Sequence, residues 1–435
     1  MKIILRNPAG LLFVLSLILA QACSGNKTVN ENSETIVIDL ESNIGKGNVV
    51  DLSSVASEIE YIPLQTSENT LTDDAESISF ENGMFYLITR RFSKGCQVFD
   101  IKGNHIFFFD RTGRGPEEYF FVYDSQILPG TGNILIHGEN GIRRVYDPHG
   151  NFLEKFNVPK DSRFGVSPIL YISEGNYAGA VSMYRTENLS YAAVLFTPGD
   201  TTFRYMFPIP QFQTKDPFIG PNEFAGMSEV PSSSQNFKLI RGRIVIYGYE
   251  DKARLFFPYN DTLFSISPEK KIETPFLIKF GKTRNPGGKD GDASMDKYVL
   301  MKGSPMENHD FLFLEFHLKG LAHEPYEKEI ILRSGRIHRY KVTDCYALLN
   351  KKSGEFTLLN LPEKNLPGMK EDILNGPPFW PKYVSSTGEL VSFCSAEELI
   401  RWAENHKVSP KLKKIIEKLD ENDNPVVILA KLKKQ

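Results

Sequence analysis

Short apolar runs recur six times along the chain, and each follows directly after a turn-forming segment. The runs read MFYLIT, NILIHG, NYAGAV, RIVIYGY, DFLFLEF and ELVSF, and the turns lie at residues 81–83, 130–132, 173–175, 240–242, 307–309 and 386–388. Measured at the last residue of each turn, the intervals are 49, 43, 67, 67 and 79 residues. The first two match one four-stranded sheet with its loops, and the longer ones leave room for insertions. A period of this size indicates a repeat architecture.

Each of the first five repeats continues with two further apolar runs that a polar turn separates. In the first repeat CQVFD and HIFFFD flank residues 101–104, and in the second RRVYD and FLEKF flank residues 148–151. Gly, Pro, Asn and Asp supply the backbone angles of tight turns, so each such pair predicts a β-hairpin. Open hairpins would expose long edges, whereas radial repetition leaves only short ones. The pattern therefore predicts an all-β fold, a six-bladed β-propeller.

The two ends of the chain predict how the ring closes. After ELVSF, the stretches AEELIRWAENHKV and SPKLKKIIEKLDEN carry apolar residues at helical spacing, with Ser395 and Ser409 as N-caps. A strand returns only at residues 425–432, which leaves the sixth blade one strand short. The apolar segment at residues 58–64 can supply that strand. We therefore expect the N- and C-terminal strands to pair, with a short helical insertion in the last blade.

The composition is typical of a protein with a large hydrophobic core, and the charge argues against a nucleic-acid partner. Hydrophobic residues make up 41% of the 435 residues and aromatic residues 12%, and aromatic side chains favour half-buried strands. The net charge is −3, from 51 basic and 54 acidic side chains. Nucleic-acid binding usually shows a basic excess or a basic stripe, and the sequence has neither. We therefore expect no nucleic-acid partner.

The N-terminus predicts a signal peptide and a lipid anchor. Lys2 and Arg6 accompany an apolar run at residues 11–20, which is too short to span a bilayer but typical of a signal peptide. The sequence Leu-Ala-Gln-Ala-Cys that follows resembles a bacterial lipobox, in which Cys23 would be diacylated, although Ala20 stands where Leu is commonest. Two acyl chains would anchor the protein stably in a lipid membrane. The alternative is an ordinary cleavable signal with Cys23 incidental.

These features divide the chain into three parts. Residues 1–22 form the lipoprotein signal peptide, residues 23–35 a flexible polar tether, and residues 36–435 the propeller. The Ser-Gly-Asn-Lys sequence after Cys23 lacks the acidic cluster that surface-exported lipoproteins tend to carry. We therefore expect a location in the cell envelope, lipid-anchored to the outer membrane on its periplasmic face.

The remaining cysteines, Cys96, Cys345 and Cys394, are an odd number without CxxC spacing. Cys96 and Cys345 fall at equivalent strand positions of repeats one and five, in blades too far apart for a disulfide. We expect all three to be small buried residues in strands. A bridge between Cys345 and Cys394 is the one conceivable disulfide.

Four segments together resemble one protein family. They are EIEYIPLQT, the hairpin VFDIKGN, the segment GRGPEEY at residues 113–119, and the ending NPVVILAKLK. In these segments the chain is similar to the bacterial six-bladed β-propeller lipoproteins with NHL-like blades, many of which are filed as domains of unknown function. The resemblance covers residues 36–435, and Glu117 stands where family members more often have Gly. It implies an envelope-located propeller and no particular activity.

The GRGPEEY segment is the candidate ligand-binding site. It joins repeats one and two, which places it on a rim of the disc near the central channel. Arg111 and Arg114, beside Glu117, could present a guanidinium group to an anionic ligand such as a carboxylate or uronate. The alternative is a structural turn in which Arg114 pairs with a neighbouring carboxylate or carbonyl group. The segment lacks the GxxxxGK[ST] pattern of a phosphate loop.

No sequence motif points to catalysis, to a metal or to a cofactor. The eight His residues show neither HExxH nor HxH spacing, and the chain has no GxSxG motif. We therefore expect a non-catalytic binding or scaffold module for a glycan, a peptide or a partner protein. The alternative is a hydrolase or lyase with a calcium-type metal site on the propeller axis, because propellers host both classes.

Overall fold

Six sheets with four or more strands, built mainly from antiparallel pairs, follow one another along the described part of the chain. The computed structural model describes residues 35–72, 75–89, 95–173, 175–184, 191–208, 228–230, 237–239, 244–257, 260–284, 297–331 and 335–433. In each sheet the main strands pair in the order of a meander, which is the arrangement of a propeller blade. The fold is therefore the predicted six-bladed β-propeller.

The elements are distributed over the blades in chain order. β1 (Ile36–Ile38), α1 (Leu40–Asn43) and β2 (Ala56–Pro63) precede the first blade. Blade 1 comprises β3 (Ala75–Glu81), β4 (Met84–Thr89), β5 (Cys96–Asp100) and β6 (His105–Phe109), and blade 2 comprises β7 (Val122–Ile127), β8 (Ile134–Gly138), β9 (Ile142–Tyr146) and β10 (Phe152–Asn157). Blade 3 comprises β11 (Phe164–Ser173), β12 (Asn176–Tyr184), β13 (Tyr191–Phe196), β14 (Tyr205–Pro208), β15 (Ser228–Val230) and β16 (Phe237–Leu239).

The second half of the ring carries the insertions. Blade 4 comprises β17 (Val245–Tyr249), β18 (Lys252–Phe256), β19 (Thr262–Ile266) and β20 (Ile272–Ile278). Blade 5 comprises β21 (Tyr298–Glu307), β22 (Phe311–Lys319), an inserted hairpin of β23 (Tyr326–Ile331) and β24 (Ile337–Val342), then β25 (Asp344–Asn350) and β26 (Phe356–Leu358). Blade 6 comprises β27 (Tyr383–Val384), β28 (Leu390–Cys394), the helices α2 (Ala396–Asn405) and α3 (Pro410–Ile416), and β29 (Val426–Leu432).

The first strands of the blades surround the axis of the ring. β27 contacts β3, β11 contacts β17, and β21 contacts both β17 and β27. Because successive strands run in opposite directions, the turns between first and second strands all lie on one side of the ring. The loops between second and third strands, and the connections from one blade to the next, lie on the other side. We call this second side the connection face, and residues 110–121 and 139–141 belong to it.

Local side-chain chemistry explains why the turns form where the sequence places them. Asn82 and Gly83 both have positive φ, at 52° and 75°, which is the type I′ geometry that joins β3 to β4. Between β5 and β6, the Asp100 carboxylate accepts hydrogen bonds of 2.8 Å from the backbone N–H groups two and four residues further on. Asp147 repeats this arrangement between β9 and β10. These hairpins therefore need no distant contact to set their register.

The hydrophobic core of the described residues is divided into six clusters, each of which joins two neighbouring blades. Between blades 1 and 2, for example, Phe109 packs with Ile136 and Tyr146, and all three side chains are buried. Burying one such side chain contributes about 1.5–3 kcal/mol. Each blade is thus held by its two neighbours rather than by a single central core.

Ring closure follows the sequence prediction. β2 pairs antiparallel with β29 as the outermost strand of blade 6, and Ile59 lies opposite Ala430. The predicted N-caps are also present. Ser395 accepts a hydrogen bond from the N–H of Glu398 at the start of α2, and Ser409 caps α3 in the same way.

The N-terminal segment also fastens a second blade, which the sequence did not indicate. β1 pairs in parallel with β20 at the outer edge of blade 4, with Ile36 opposite Phe276. A three-residue strand carries too little hydrophobic periodicity to be recognised in the sequence.

The fourth repeat departs from the predicted alignment. The predicted turn at residues 240–242 lies outside the described residues, and RIVIYGY contains the first strand of blade 4, where the alignment expected the second. The first hairpin of this blade turns instead at Glu250 and Asp251, and Glu250 has a φ of 52°. A Glu-Asp turn lacks the glycine that marks most of the other turns, so the pattern passed over it.

The three cysteines of the propeller are free, so the disulfide between Cys345 and Cys394 is not formed. Cys96 and Cys345 are buried in the third strands of blades 1 and 5, as predicted. Burial raises the pKa of the Cys345 thiol to about 12. This thiol stays protonated at neutral pH and packs as a small apolar group.

Candidate functional site on the connection face

The connection from blade 1 to blade 2 contains the GRGPEEY segment. The N–H of Gly113 donates to the carbonyl of Tyr119 at 2.9 Å, and the N–H of Tyr119 donates to the carbonyl of Arg111 at 3.1 Å. Within this closed loop, the N–H of Gly115 donates to the Glu118 carboxylate at 2.8 Å. A β-carbon on residue 113 would overlap that carboxylate, which explains the glycine. Gly113 and Glu118 together determine the shape of the loop.

Two tyrosines fasten this loop to the blades. Tyr119 is buried, with its ring centre 6.4 Å from that of Tyr146, and its hydroxyl accepts a hydrogen bond of 3.1 Å from the N–H of Arg111. The Tyr146 hydroxyl donates to the carbonyl of Glu117 at 2.6 Å. Burial raises the pKa of both tyrosines above the ordinary value, so both hydroxyl groups keep their protons. The loop is therefore a fixed part of the connection face.

The three predicted site residues have different surroundings. Arg111 donates through Nε and Nη2 to the carbonyl of Gly150, at 3.0 and 2.7 Å, and so links blade 1 to blade 2. Arg114 is exposed, and its guanidinium carbon lies 5.9 Å from the centre of the Phe120 ring. The side chain of Glu117 is exposed, and its backbone carbonyl makes the contact with the blade.

A pocket of about 400 Å³ opens beside the loop. Its lining consists of Gly113, Arg114, Gly115, Glu118, Phe120, Glu139 and Arg144. The first five belong to the connection between blades 1 and 2, Glu139 belongs to the turn that joins β8 to β9, and Arg144 belongs to β9. Of the three predicted residues, Arg114 lines this pocket.

Arg144 and Glu139 form the blade side of the pocket. Arg144 Nη2 donates to Glu139 Oε1 at 2.8 Å, and Glu139 Oε2 accepts from the N–H of Phe120 at 3.2 Å. Burial alone would raise the pKa of the Glu139 carboxyl group. Hydrogen bonds from its own backbone N–H and from Arg144 lower the pKa by more than burial raises it, so the pKa is below its ordinary value. Glu139 is therefore ionised at neutral pH and ties the loop to blade 2.

Sequence reasoning missed Arg144, although a signal for it exists. Arg143 and Arg144 are adjacent in β9, so their side chains point to opposite faces of the sheet. Both are buried, which is uncommon for arginine. Arg143 lies away from the pocket lining, and burial lowers its pKa to about 10. A pair of arginines inside an otherwise apolar strand is the pattern that could have identified Arg144.

Three aromatic side chains stand exposed next to the pocket. Phe120 and Tyr123 are each 65% exposed, and Phe121 is 53% exposed. Phe121 and Tyr123 pack edge to face, with ring centres 4.9 Å apart. We call these three residues the aromatic ridge. Because β7 is a first strand, the ridge lies where the propeller axis meets the connection face. Neighbouring exposed apolar side chains of this size mark interaction surfaces.

Two further observations concern the described ranges only. The described residues contain no group of three or more His, Cys, Asp or Glu residues arranged to hold a metal ion. They also contain no helix with the length and apolar character that crossing a membrane requires. The predicted lipidation residue, Cys23, lies outside the described residues.

Comparison with known proteins adds a family and two related structures. The family described as "Domain of unknown function (DUF4934)" matches residues 35–431. A Bacteroides fragilis structure, described as a "putative exported protein", is 16% identical with a TM-score of 0.56, over 92% of this chain and 100% of that one. A member of the DUF4221 family from Bacteroides vulgatus is 15% identical with a TM-score of 0.47, over 89% of this chain and 100% of that one. The first of these supports the fold. No curated protein matches the sequence.

Proposed function

This chain belongs to the DUF4934 family of domains of unknown function, and we propose that it is an envelope-anchored, non-catalytic binding module for a glycan. The aromatic ridge is the observation that carries the proposal. Sugar rings present apolar C–H faces between their hydroxyl groups, and such faces pack on exposed Phe and Tyr rings. Aromatic side chains supply this contact area with little loss of conformational entropy.

The surroundings of the ridge suit the same ligand. Arg114, next to Phe120, adds hydrogen-bond donors for sugar hydroxyl or carboxylate groups. The pocket beside it is of the size that ligand sites commonly have, and it lies on a loop that two buried tyrosine rings hold in place. Loops held by a rigid scaffold are where binding residues concentrate.

A glycan-binding experiment tests this proposal. The full-length protein in detergent is applied to an array of neutral and acidic oligosaccharides, beside a variant that carries Phe120→Ala and Tyr123→Ala. We expect the double substitution to weaken binding at least tenfold without changing the melting temperature, because both side chains are mostly exposed. Leu153→Ala is the matched control, since Leu153 is 51% exposed on the outer strand of the same blade. Equal binding by the double variant and the unsubstituted protein would refute the proposal.

The proposed location is the outer membrane, with a diacylated Cys23 as anchor and the propeller on the periplasmic side. Support comes from the signal-peptide pattern and lipobox of the sequence, and from the exported character ascribed to the Bacteroides fragilis protein. We expect Cys23→Ala to move the protein from the detergent phase to the soluble periplasmic fraction, while Cys394→Ala leaves it in the detergent phase. Unchanged partitioning of the Cys23 variant would contradict the anchor. Protease treatment of intact cells then tests the side, since a periplasmic propeller is protected.

A further inference from the structure

The Arg144 guanidinium is buried without a full set of hydrogen-bond acceptors. Its side chain is 6% exposed, and Nη2 donates to Glu139. Nε and Nη1 are enclosed and have no hydrogen-bond partner. A guanidinium group carries five N–H donors and cannot lose its charge in a protein, so each unmade bond leaves a desolvated, charged donor. Such donors are candidates for binding a ligand.

A neighbouring glycine leaves space for the Arg144 guanidinium, and the nearest carboxylates already accept hydrogen bonds from backbone N–H groups. A β-carbon on residue 138 would lie 2.8 Å from Arg144 Nη1, so Gly138 provides the room in which that nitrogen sits. Glu118 Oε2 accepts from the N–H of Gly115, and Glu139 Oε2 accepts from the N–H of Phe120. These two carboxylates are already engaged in shaping the loop, while Nε and Nη1 of Arg144 still lack acceptors.

We propose that Arg144 binds the carboxylate group of an acidic glycan, in which a uronate residue enters the pocket beside the aromatic ridge. This inference rests on the proposed function and names its substrate class. The carboxylate accepts hydrogen bonds from the unpartnered N–H groups of Arg144, and Arg114 adds a second positive charge at the pocket lining. Nε and Nη1 are enclosed in the unliganded protein, so binding requires a local side-chain movement that opens them to the pocket. Neighbouring sugar rings then pack on the ridge.

The geometry favours a carboxylate over a neutral sugar hydroxyl. A carboxylate can accept two parallel hydrogen bonds from a guanidinium and adds Coulomb attraction, both of which a neutral hydroxyl lacks, and the low local dielectric strengthens that attraction. The pocket lining itself contains two arginines and two glutamates, so its charges balance before a ligand binds. One carboxylate can therefore enter without meeting an excess of negative charge.

The test compares an acidic tetrasaccharide with its neutral ester. Tetragalacturonate and its methyl ester have the same sugar rings, so calorimetric titration of the full-length protein in detergent isolates the contribution of the carboxylates. We expect the acid to bind at least tenfold more tightly than the ester. Arg144→Met should remove this preference, so that the acid and the ester bind the variant with equal affinity.

Two further variants make the test specific. Arg143→Met is the matched control, because Arg143 is equally buried on the same strand but lies outside the pocket lining, and it should keep the preference for the acid. Arg144→Lys keeps the charge and loses the planar guanidinium, so an intermediate preference is expected. If the Arg144→Met variant fails to fold, which circular dichroism would show, the Arg144→Lys variant still tests the inference.

The inference and the proposed function can fail separately. If the protein binds acid and ester equally, or if a folded Arg144→Met or Arg144→Lys variant keeps the full preference, Arg144 is a structural residue and the inference is wrong. In that case, glycan binding at the ridge would still be supported if the variant with Phe120→Ala and Tyr123→Ala bound neither the acid nor the ester. Absence of binding to either ligand overturns the inference.

Discussion

At the scale of single residues, two buried glutamates hold neighbouring blades together. Glu81 ends the first strand of blade 1 and accepts hydrogen bonds from the Tyr383 hydroxyl of blade 6 at 2.8 Å and from the Gly130 N–H of blade 2 at 3.0 Å. Glu307 ends the first strand of blade 5, and Arg254 of blade 4 donates to it at 3.0 and 3.1 Å. Each glutamate directly precedes an Asn in a predicted turn. The sequence therefore indicates that these glutamates lie at strand ends, but it does not indicate which residues they bind.

Glu307→Gln tests how much one such carboxylate contributes to stability. The Glu307 side chain is fully buried, and it also binds the Lys351 ammonium at 2.9 Å. Removing its charge leaves the buried Arg254 and the partly buried Lys351 without a counter-charge, so we expect a loss of about 3–5 kcal/mol in the free energy of unfolding, measured with urea. Glu329→Gln is the control, because its pair with Arg339 is exposed and should contribute less than about 1 kcal/mol. Equal effects of the two substitutions would contradict this role of Glu307.

His137 gives the stability a defined pH dependence. Burial, with the nearby charge of Arg143, lowers its pKa from 6.5 to about 4. As the pH falls, the unfolded chain therefore takes up a proton at this residue before the folded protein does. The stabilising contribution is complete above pH 6.5 and is lost as the pH falls towards 4. We expect His137→Gln to flatten the decrease in unfolding free energy over this interval, with His149→Gln, at an exposed turn, as the control. Parallel pH profiles for the His137 variant and the unsubstituted protein would exclude the effect.

At the scale of elements, the helices of blade 6 show how an insertion is fixed to a blade. Leu399 of α2 and Leu412 of α3 are buried in the core cluster between blades 5 and 6. α2 begins with a capping box, in which Ser395 Oγ accepts from the N–H of Glu398 at 3.1 Å and Glu398 Oε2 accepts from the N–H of Ser395 at 3.0 Å. The cap sets where the helix begins, and the leucines set which face turns inward.

Ser395→Ala should measure the contribution of this cap. The substitution removes the acceptor for the first-turn N–H, so we expect a loss of about 1 kcal/mol in the free energy of unfolding. Ser395→Asp retains an acceptor at the same place and should remain close to the unsubstituted protein. If Ser395→Asp lowered the free energy of unfolding as much as Ser395→Ala, the side-chain hydrogen bond at the cap would not be the source of the serine's contribution.

At the scale of the whole molecule, closure of the ring joins residues that are far apart in sequence. β2 and β29 pair along their lengths, so the start and the end of the propeller share one sheet. Every interface between blades depends on both of its neighbours, as in other repeat proteins. A ring of this kind should therefore lose stability as a unit when one blade is opened.

Deletion of residues 425–435 tests closure. The deletion removes the strand that pairs with both β28 and β2, so an unpaired apolar edge should make the protein insoluble or lower its melting temperature strongly. The control replaces residues 328–340 with a short Gly-Ser turn. That change shortens the hairpin of β23 and β24, whose strands pair only with each other among the described residues, and should leave the propeller intact. A truncated chain that melts like the full-length protein would remove the closure hypothesis.

The fold was predictable from the sequence because its determinants are local. Turn residues such as Asn82 and Gly83 adopt positive φ within a few residues of the strands they join, and an apolar run follows directly after each predicted turn. Even closure was predictable, because the sixth repeat lacks a strand and the segment at residues 58–64 is apolar. The fourth repeat was misaligned for the same physical reason, since its Glu-Asp turn carries no glycine to mark it.

The candidate site was predictable only in part, because its residues come from separate elements. The sequence by itself determined that the GRGPEEY segment is a tight loop between two blades, since its glycines and Glu118 lie within six residues of one another. It could not show that Arg111 would bind the carbonyl of Gly150 or that two nitrogens of Arg144 would be buried behind the loop without acceptors. Those facts depend on how blade 2 packs beneath the loop. Tertiary structure decides them because hydrogen-bond partners and solvent exclusion are properties of the folded arrangement.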